Sequence, residues 1–379
     1  MTTGSAPLAA GTARPFVCSN CRRPYPSVGF PHRCRECGGL FEFSGSLPYS
    51  PRPVGSPPEV PFARYRDTFP LPTDAPLVSL GEGGTPLIAF DLGGRKVHFK
   101  CEHLNPTGSF KDRGSSILVS ALAAARVRQA VEDSSGNAGA SFAAYAARAG
   151  IQARVFVPAS ASGPKLAQIS TYGAETRAIR GPRSAAAEAV LREVEAGAVY
   201  ASHAYNPIGL AGMATLAFEL FEQLSRPPGA VILPVGQGTL LLGGDLGFKA
   251  LVAAGVVDHG PQWIAVQARA CAPLWAVFSA GAAGLGWTSE RETMAEGIRI
   301  LQPLRGDAVL AAVEASGGRV VAVEEDEISE GRDALSRIGL YVEPTSAVVW
   351  PALLGVLEEL PDPVVVILTG SGFKSPNAM

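Results

Sequence analysis

The stretch that decides the fold is Asn105-Pro106-Thr107-Gly108-Ser109-Phe110-Lys111-Asp112-Arg113-Gly114. It lies between an apolar run at Lys96–Cys101 and a helical pattern at Asp112–Arg126, so we predict a strand, a polar turn and a helix. Lys111 then lies at the start of the helix, where the positive end of the helix dipole disfavours an ammonium group. A neutral lysine amine is a nucleophile toward aldehydes, although an ordinary surface lysine is the simpler reading for this residue alone.

Lysine is scarce in this chain, which narrows the choice of a reactive amine. Six of the 32 basic residues are lysines: Lys96, Lys100, Lys111, Lys165, Lys249 and Lys374. Lys100 lies in the strand-like run, whereas Lys165, Lys249 and Lys374 have the surroundings of solvated positions. Lys111 is therefore the candidate for covalent chemistry.

A second polar loop, Ser134-Ser135-Gly136-Asn137-Ala138-Gly139, lies between a predicted strand and an Ala-rich helix. Its small residues expose N–H groups at the start of the helix, where a carboxylate or a phosphate can bind. A plain helix cap by Ser or Asn is an equally good reading.

A third loop is rich in glycine and runs from Gly236 to Gly244, after the apolar run Ala230–Pro234. It lacks the dinucleotide fingerprint, because the third glycine of that motif would fall at Leu241, and no Lys-Ser/Thr pair follows as in a P-loop. We therefore favour a cradle for a single phosphate over a simple glycine turn. A fourth loop places the neutral hydroxyl of Thr369 directly after the run Val364–Leu368.

From about Ala75 onward, short apolar runs alternate with helical patterns. The predicted strands are Lys96–Cys101, Gln129–Asp133, Ala153–Pro158, Thr176–Ile179, Ala198–Tyr200, Ala230–Pro234, Trp263–Gln267, Val320–Val323 and Val364–Leu368. The predicted helices are Asp112–Arg126, Ala138–Ala149, Lys165–Tyr172, Ser184–Ala196, Ile208–Leu224, Leu240–Ala253 and Thr345–Glu359. This alternation predicts an α/β fold with parallel sheets, whose ligands bind at the carboxyl ends of strands. A reactive lysine, a phosphate cradle, an anion-binding Asn loop and a hydroxyl together suit pyridoxal 5′-phosphate (PLP).

These loops resemble the PLP-dependent enzymes of the tryptophan synthase β fold type (fold type II), and among them the threonine synthase family. The resemblance spans about Leu77–Pro376 and includes Met294–Arg299, Glu343–Ala347 and Thr369–Lys374. It implies two α/β lobes with PLP between them and a homodimer. It also implies a lyase reaction on a small amino acid, most like the conversion of O-phosphohomoserine to L-threonine and phosphate.

Carried over to this sequence, the resemblance implies that Lys111 forms an imine with the cofactor and later moves protons as acid and base. Asn137 is expected to face the phenolic oxygen of the cofactor, and Thr369 to meet its pyridine nitrogen. The cofactor phosphate is assigned to Gly236, Gln237, Gly238 and Thr239, and the substrate carboxylate to Ser134, Ser135 and Gly136. A hydroxyl partner implies a pyridine without a full positive charge, which we expect to favour elimination or replacement over transamination.

The sequence departs from the family at the expected substrate phosphate. Family members typically carry an arginine and a lysine where this chain has Gly209 and Ala214, and a hydroxyl residue where it has Ala138. A phosphate without cations loses charge-assisted hydrogen bonds of roughly 1.5–3 kcal/mol each, unless His203 or Arg183 compensates. The alternative functions are therefore β-elimination, as in serine/threonine dehydratases, and β-replacement, as in cysteate or cysteine synthases.

Four cysteines near the N-terminus form the pattern C-x2-C-x12-C-x2-C: Cys18, Cys21, Cys34 and Cys37. Two cysteine pairs of this spacing complete a tetrahedral, structural Zn²⁺ site, whereas two disulfides or four free thiols are the alternatives. The segment has too few residues for an apolar core of its own, so we expect the metal to stabilise it. We predict a zinc ribbon at 14–45, a Pro/Gly-rich linker at 46–75, and a catalytic domain at 76–379 with a smaller lobe at about 118–211.

Composition limits the remaining classes of function. In 379 residues, 47% are hydrophobic, 17% are charged and the net charge is −2, so no overall positive field attracts nucleic acid. Because arginines surround the cysteines, a ribbon that binds nucleic acid is a third hypothesis. The net charge of −2 and the lack of aromatic residues that could stack on bases beside those arginines disfavour it. No apolar run is long enough to span a membrane, and Met1–Pro15 carries no signal pattern, so we expect a cytoplasmic enzyme.

Overall fold

The protein is described here from a computed structural model, which covers residues 15–52, 61–161, 163–181 and 183–375. Most of the stretch Met1–Pro15, considered above for a signal pattern, lies outside these residues, as do the first residue of the predicted ribbon and part of the predicted linker. The side chain of Arg183 is also outside the described part of the structure.

Twelve strands and eleven α-helices occur within the described residues. The strands are β1 (Phe16–Cys18), β2 (Phe41–Phe43), β3 (Leu87–Leu92), β4 (Arg95–Lys100), β5 (Gln129–Glu132), β6 (Gln152–Pro158), β7 (Glu175–Ile179), β8 (Val199–Tyr200), β9 (Ala230–Pro234), β10 (Gln262–Ala268), β11 (Arg319–Val323) and β12 (Val364–Ile367). The helices are α1 (Lys111–Ala124), α2 (Asn137–Arg148), α3 (Pro164–Thr171), α4 (Arg183–Glu195), α5 (Ile208–Leu224), α6 (Thr239–Ala253), α7 (Pro273–Ala280), α8 (Gly306–Ala315), α9 (Glu325–Arg337), α10 (Pro344–Ala347) and α11 (Val349–Val356).

The chain divides into two compact units. One contains the described residues up to Glu82 together with Lys111–Gly212, and the other contains Gly83–Phe110 and the described residues from Met213 onward. The first unit has a four-stranded sheet and the antiparallel pair β1-β2, the second has a six-stranded sheet, and each unit has its own buried core.

The larger sheet has six strands in the order β11-β10-β9-β12-β4-β3. All neighbours are parallel except β3, which runs antiparallel to β4 at the edge, so the sheet is mixed rather than purely parallel as predicted. Every residue of β9 and β12 is buried, which is why these central strands read as unbroken apolar runs. The edge strand β3 has no fully buried residue and gives no such run, so the sequence analysis missed it.

The smaller sheet has four parallel strands in the order β7-β6-β5-β8. Its core includes Val131, Phe156 and Tyr200 from the strands and Val190 from helix α4, and all four lie in elements that the sequence pattern predicts. The nine predicted strands all occur, with ends that differ by at most one residue.

The predicted helix Thr345–Glu359 is divided into α10, α11 and a final 3-10 turn at Leu357–Glu359. Pro351 has no N–H with which to continue the helical bonds of the preceding turn, and the helix restarts at Val349. Helices α7, α8 and α9 are additional to the prediction. No helix in the described part of the chain has the length and hydropathy needed to cross a membrane.

Candidate active site

Three of the predicted loops lie at one edge of the six-stranded sheet. Strand β12 has β9 on one side and β4 on the other, all parallel, so their carboxyl ends share an edge. Thr369 follows β12, the glycine loop Gly236–Gly238 follows β9, and the segment Asn105–Phe110 follows β4 after a short 3-10 turn. The structure thus brings together the predicted phosphate loop, the predicted pyridine partner and the segment that leads to Lys111.

The segment before Lys111 is paired with the segment after β12 through their backbones. Phe110 donates its N–H to the carbonyl of Thr369 at 3.0 Å, and Ser371 donates to the carbonyl of Gly108 at 3.0 Å. Ser109 and Gly370 form an antiparallel bridge between these two bonds. The residue directly before Lys111 is therefore fixed in register against Thr369.

Lys374 supports the same segment from the other side. Its Nζ donates to the carbonyl of Thr107 at 2.7 Å, and its side chain is 6% exposed, so the prediction of a solvated lysine at this position is wrong. Gly108 has φ +82, and a Cβ there would lie 2.9 Å from Cδ of Lys374. A glycine is thus needed both for the turn and for the close approach of the lysine stem.

The glycine loop forms a cradle at the start of α6. Gly238 precedes the helix with φ +76, and no side chain within the described residues caps this end, so the first N–H groups of α6 can bind a ligand. A Cβ on Gly236 would lie 3.0 Å from Cα of Ile298, and one on Gly238 would lie 2.2 Å from Cγ2 of Val309. Oε1 of Gln237 accepts the N–H of Leu304 at 3.0 Å, which fixes the orientation of this side chain beside the cradle.

Thr369 is 2% exposed and its Oγ1 lies 2.9 Å from Oγ of Ser346. Ser346 belongs to α10, inside the stretch Glu343–Ala347 that the sequence analysis singled out only as a family motif. The hydroxyl that is predicted to meet the pyridine nitrogen is therefore itself part of a buried hydrogen-bonded pair.

Lys111 and Asn137 are the first residues of α1 and α2, which pack against each other in the other unit. The two helix starts are held together by Oγ of Ser141, which donates to Oδ1 of Asp112 at 2.6 Å. Asp112 follows Lys111 directly, and Ser141 lies one helical turn after Asn137. Both predicted cofactor contacts in this unit are thus at adjacent helix ends.

The loop Ser134–Gly136 follows β5 and leads into α2. Gly136 precedes the helix without a side-chain cap, and its N–H donates to Oγ of Ser134 at 3.2 Å. A Cβ on Gly139 would lie 1.9 Å from the carbonyl oxygen of Ser134, so a glycine is needed for the loop to fold over the first turn of α2. The N–H groups at an uncapped helix start can donate to an anion, so the carboxylate site at this loop stays a prediction.

Two carboxylates lie directly before this loop. Glu132 is 1% exposed and its Oε1 lies 3.0 Å from Nδ1 of His203, while Asp133 accepts the hydroxyl of Tyr200 at 2.7 Å. Burial raises the pKa of the Tyr200 hydroxyl, and the negative charges of Asp133 and Glu132 raise it further. His203, one of the two residues considered for phosphate binding, is thus held by an acidic side chain.

The two positions that depart from the family lie in the first two turns of α5. A Cβ on Gly209 would lie 3.3 Å from the carbonyl oxygen of Gly114, which is tighter than usual for such a contact, and Ala214 is fully buried. Close helix packing at Gly209 and burial at Ala214 therefore leave little space for long basic side chains as this chain is folded.

The four N-terminal cysteines converge. Their Sγ atoms all lie within 4.8 Å of one another, with Cys18 and Cys37 at 3.4 Å and Cys21 and Cys34 at 3.7 Å. None of the four forms a disulfide in this structure. Burial raises the pKa of Cys18, but hydrogen bonds from the N–H groups of Cys21 and Asn20 and with the side chains of Cys37 and Cys21 together lower the pKa to about 7. Tetrahedral zinc–sulfur bonds of about 2.3 Å give sulfur separations of this size, so the residues fit a zinc ion.

The cysteine segment has more apolar packing than the sequence analysis expected. Phe16, Tyr25, Phe41 and Phe43 make edge-to-face contacts with ring centroids 4.6–5.7 Å apart. The segment also contacts the four-stranded unit, because the ring of His32 lies 5.4 Å from that of Tyr205 and Cζ of Arg33 lies 5.2 Å from the same ring.

The residues at the six-stranded edge also fit PLP. Among the residues that the structure describes, the buried hydroxyl of Ser109 has no hydrogen-bond partner, and it lies in the segment beside Thr369. The uncapped glycine cradle at α6 suits a phosphate, and Thr369 offers a hydroxyl on the neighbouring strand. Sequence reasoning missed Ser109 and Ser346, because a serine in a turn or in the first turn of a helix usually indicates only a local cap.

Comparison with known proteins agrees with this chemistry. A family model described as pyridoxal-phosphate dependent enzyme matches residues 78–370. A threonine synthase of Methanocaldococcus jannaschii is 34% identical over 377 residues, covering 95% of this chain and 93% of its own length. A threonine synthase of Mycobacterium bovis is 36% identical over 332 residues, covering 83% of this chain and 88% of its own.

Solved structures show the same fold. A threonine deaminase of T.th. has a TM-score of 0.63 at 28% identity, covering 77% of this chain and 94% of its own. Maize serine racemase has a TM-score of 0.65 at 24% identity, covering 76% and 88%, and so indicates the fold alone. The predicted fold type is confirmed. The chain belongs to the pyridoxal-phosphate dependent enzymes and, among them, to the threonine synthase family.

Proposed function

We propose that this protein is a PLP-dependent lyase that converts O-phosphohomoserine to L-threonine and phosphate. The observation that carries the proposal is the shared sheet edge at which the glycine cradle, Thr369 and the segment before Lys111 meet. Relatives named threonine synthase, at 31–36% identity over most of the chain, support the reaction.

In this proposal each residue has one physical task. The N–H groups of Gly236, Gln237, Gly238 and Thr239 hold the cofactor phosphate, and Thr369 meets the pyridine nitrogen. Asn137 donates to the phenolic oxygen, and the loop Ser134–Gly136 binds the substrate carboxylate at an uncapped helix end. Lys111 holds the cofactor and moves protons at its Nζ. When bound, the cofactor supplies an electron sink that stabilises negative charge on the amino-acid carbon.

A specific observation favours a second function, β-elimination or β-replacement on a small amino acid. The residues in the places of the family's two cations are Gly209 and Ala214, and the former is closely packed. A phosphate leaving group would receive no charge-assisted hydrogen bond from these two positions. A neutral leaving group needs no such cation.

Three assays on the purified holoenzyme separate these functions. With O-phosphohomoserine, release of inorganic phosphate together with threonine supports threonine synthase. Formation of ammonia and an α-keto acid from serine or threonine supports elimination. Product without ammonia or keto acid, from an activated serine and an added thiol or sulfite, supports replacement. Failure of all three with PLP bound would contradict the proposed class of substrate.

We also propose a structural Zn²⁺ at Cys18, Cys21, Cys34 and Cys37, in a ribbon at 14–45 that a linker at 46–75 joins to the catalytic domain at 76–379. The smaller lobe of that domain is proposed at about 118–211. Metal analysis of the purified protein should give one zinc per chain. We further propose a cytoplasmic homodimer, which light scattering and cell fractionation would test.

A further inference from the structure

The hydroxyl of Ser346 lies between the backbone of Gly370 and the side chain of Thr369. Ser346 is fully buried, and its Oγ accepts the N–H of Gly370 at 2.8 Å. The same oxygen lies 2.9 Å from Oγ1 of Thr369 and 3.3 Å from the carbonyl oxygen of Gly370. Ser346 is held in place by its own N–H, which donates to the carbonyl of Glu343 at 2.9 Å.

Counting hydrogens gives two possible directions for this network. A serine hydroxyl has one hydrogen and two acceptor positions, one of which is taken by the N–H of Gly370. If Ser346 donates to Thr369, the hydrogen of Thr369 is available to donate to another acceptor. If Thr369 donates to Ser346, the serine hydrogen must use the longer contact to the Gly370 carbonyl, and Thr369 can then only accept.

The 2.9 Å contact between the two hydroxyls serves either direction. The second direction also places the serine hydrogen on the 3.3 Å contact to the Gly370 carbonyl, which is beyond the usual distance for a hydroxyl donor, so the geometry favours the first direction. The direction has a chemical consequence. A donating Thr369 suits an unprotonated pyridine nitrogen, which is an acceptor. An accepting Thr369 suits a protonated pyridinium, which is a donor.

The turn that carries Ser346 also reaches the glycine cradle. Oγ1 of Thr345 accepts the N–H of Gly297 at 3.0 Å, and the next residue after Gly297 packs its Cα against Gly236. The same short turn thus contacts Thr369 with one side chain and supports the cradle loop with the other. This leaves Ser346 little freedom to rearrange.

We propose that Ser346 is a positioning residue that donates to Thr369 and so directs the Thr369 hydroxyl as a donor toward the cofactor's pyridine nitrogen. The proposal rests on the proposed function, because it takes PLP as the cofactor and Thr369 as its partner. In this proposal Ser346 does not itself contact the cofactor. It sets whether Thr369 donates or accepts, and so which protonation state of the pyridine nitrogen Thr369 stabilises.

The test uses the holoenzyme loaded with PLP that is labelled with ¹⁵N in the ring. We expect the wild-type ¹⁵N resonance to be that of an unprotonated, hydrogen-bonded pyridine. In Ser346→Ala we expect it to move toward the resonance of a free pyridine, with cofactor affinity reduced about fivefold, as for one ordinary hydrogen bond. Ser346→Cys, whose thiol is a weaker donor of similar size, should give an intermediate shift and covers the case in which the alanine variant does not fold.

Ser316→Ala is the matched control. Like Oγ of Ser346, Oγ of Ser316 contacts both a backbone N–H and a backbone carbonyl. It accepts the N–H of Trp263 and donates to the carbonyl of Val313, in another part of the six-stranded unit. Its variant should lose stability without moving the ¹⁵N resonance.

Two results would overturn the proposal. A pyridinium resonance in the wild type would mean that Thr369 accepts, and an unmoved resonance in the folded Ser346 variants would mean that the serine is only structural. In both cases PLP still binds, so the proposed function stands. A wild-type protein that binds no PLP would instead overturn the proposed function and this inference with it.

Discussion

At the scale of single residues, Lys111 is the position on which the chemistry depends. We expect Lys111→Ala to remove the absorbance band that PLP gives with the wild-type protein, and to lower activity by about 10²–10⁴-fold from the loss of proton transfer alone. Borohydride reduction followed by peptide mass analysis should label Lys111 in the wild type. Lys249→Ala is the control, since that lysine is 66% exposed and forms a surface ion pair with Asp245. Labelling of any other lysine would contradict the assignment.

A second residue-scale prediction concerns the buried pair of Lys100 and Glu219. The two side chains are 0% and 6% exposed and lie 2.7 Å apart, and Lys100 also donates to the carbonyl of Thr85. Glu219→Leu leaves a buried ammonium without its carboxylate, so we expect the free energy of unfolding to fall by about 3–5 kcal/mol.

Chemical denaturation of holoenzyme preparations measures this loss. Lys249→Met, which breaks a surface pair, should change stability by less than about 1 kcal/mol. Equal effects of the two substitutions would show that burial does not set the strength of the pair.

These lysines also show where sequence reasoning ends at this scale. The run around Lys100 indicates a strand, but Glu219, which pairs with the ammonium of Lys100, lies more than a hundred residues away on α5. Lys374 has the sequence context of a surface residue, yet its stem packs on Gly108. Local pattern does not encode such partners, because they depend on which segments the topology brings together.

At the scale of elements, the glycine that precedes α6 allows a comparison within one helix. Gly238 and Gly255 flank α6 with φ +76 and +68, but a Cβ would collide with Val309 only at Gly238, while nothing lies within 4 Å at Gly255. An alanine at either position carries a left-handed backbone cost of about 1–2 kcal/mol. Gly238→Ala adds overpacking of about 1–3 kcal/mol.

We therefore expect both variants to lose stability, but only Gly238→Ala to weaken PLP binding, by roughly tenfold or more. Equilibrium titration of the apoenzyme with PLP measures the affinity. Equal affinity of the two variants would argue against the glycine cradle as the phosphate site.

Elements were predictable where burial imposes a simple pattern. Strands such as β9 and β12 are buried on both faces and read as continuous apolar runs. Helix α9 is largely charged and buries only one stripe of residues, so its hydrophobic pattern in the sequence is weak. A capping box at Glu324 nevertheless marks the start of the helix. Three of the four site loops were found because each combines small residues with a helix start, and the fourth because it places a hydroxyl directly after an apolar run.

At the scale of the whole molecule, the cysteine ribbon tests whether a metal holds the N-terminal segment. Removal of zinc by a chelator should expose the amides of β1 and β2 to hydrogen exchange while β5 and β6 stay protected. The reason is that structural zinc supplies much of the folding energy of such small segments.

Cys21→Ser should behave like the chelated protein. Ser19→Ala, an exposed change in the same turn, is the matched control. Restored protection on adding zinc completes the test. Unchanged exchange in the chelated protein would mean that the ring contacts alone suffice.

The two-unit organisation could be anticipated only from family resemblance. Strand alternation predicts parallel sheets, but nothing in a local pattern says that the chain leaves one sheet after β4 and returns to it with β9. That order depends on packing between distant segments, such as Gly212 against the carbonyl of Arg113.

The backbone pairing of Gly108–Phe110 with Thr369–Ser371 limits how this chain can change in length. One inserted or deleted residue on either side would slide the pairing by a full strand step of roughly 3.3 Å and present the opposite face. The start of α1 would move with it. Libraries that vary loop length to alter the reaction should therefore leave these two segments intact and direct their insertions elsewhere, for example to the turn at Gly93 and Gly94 between β3 and β4.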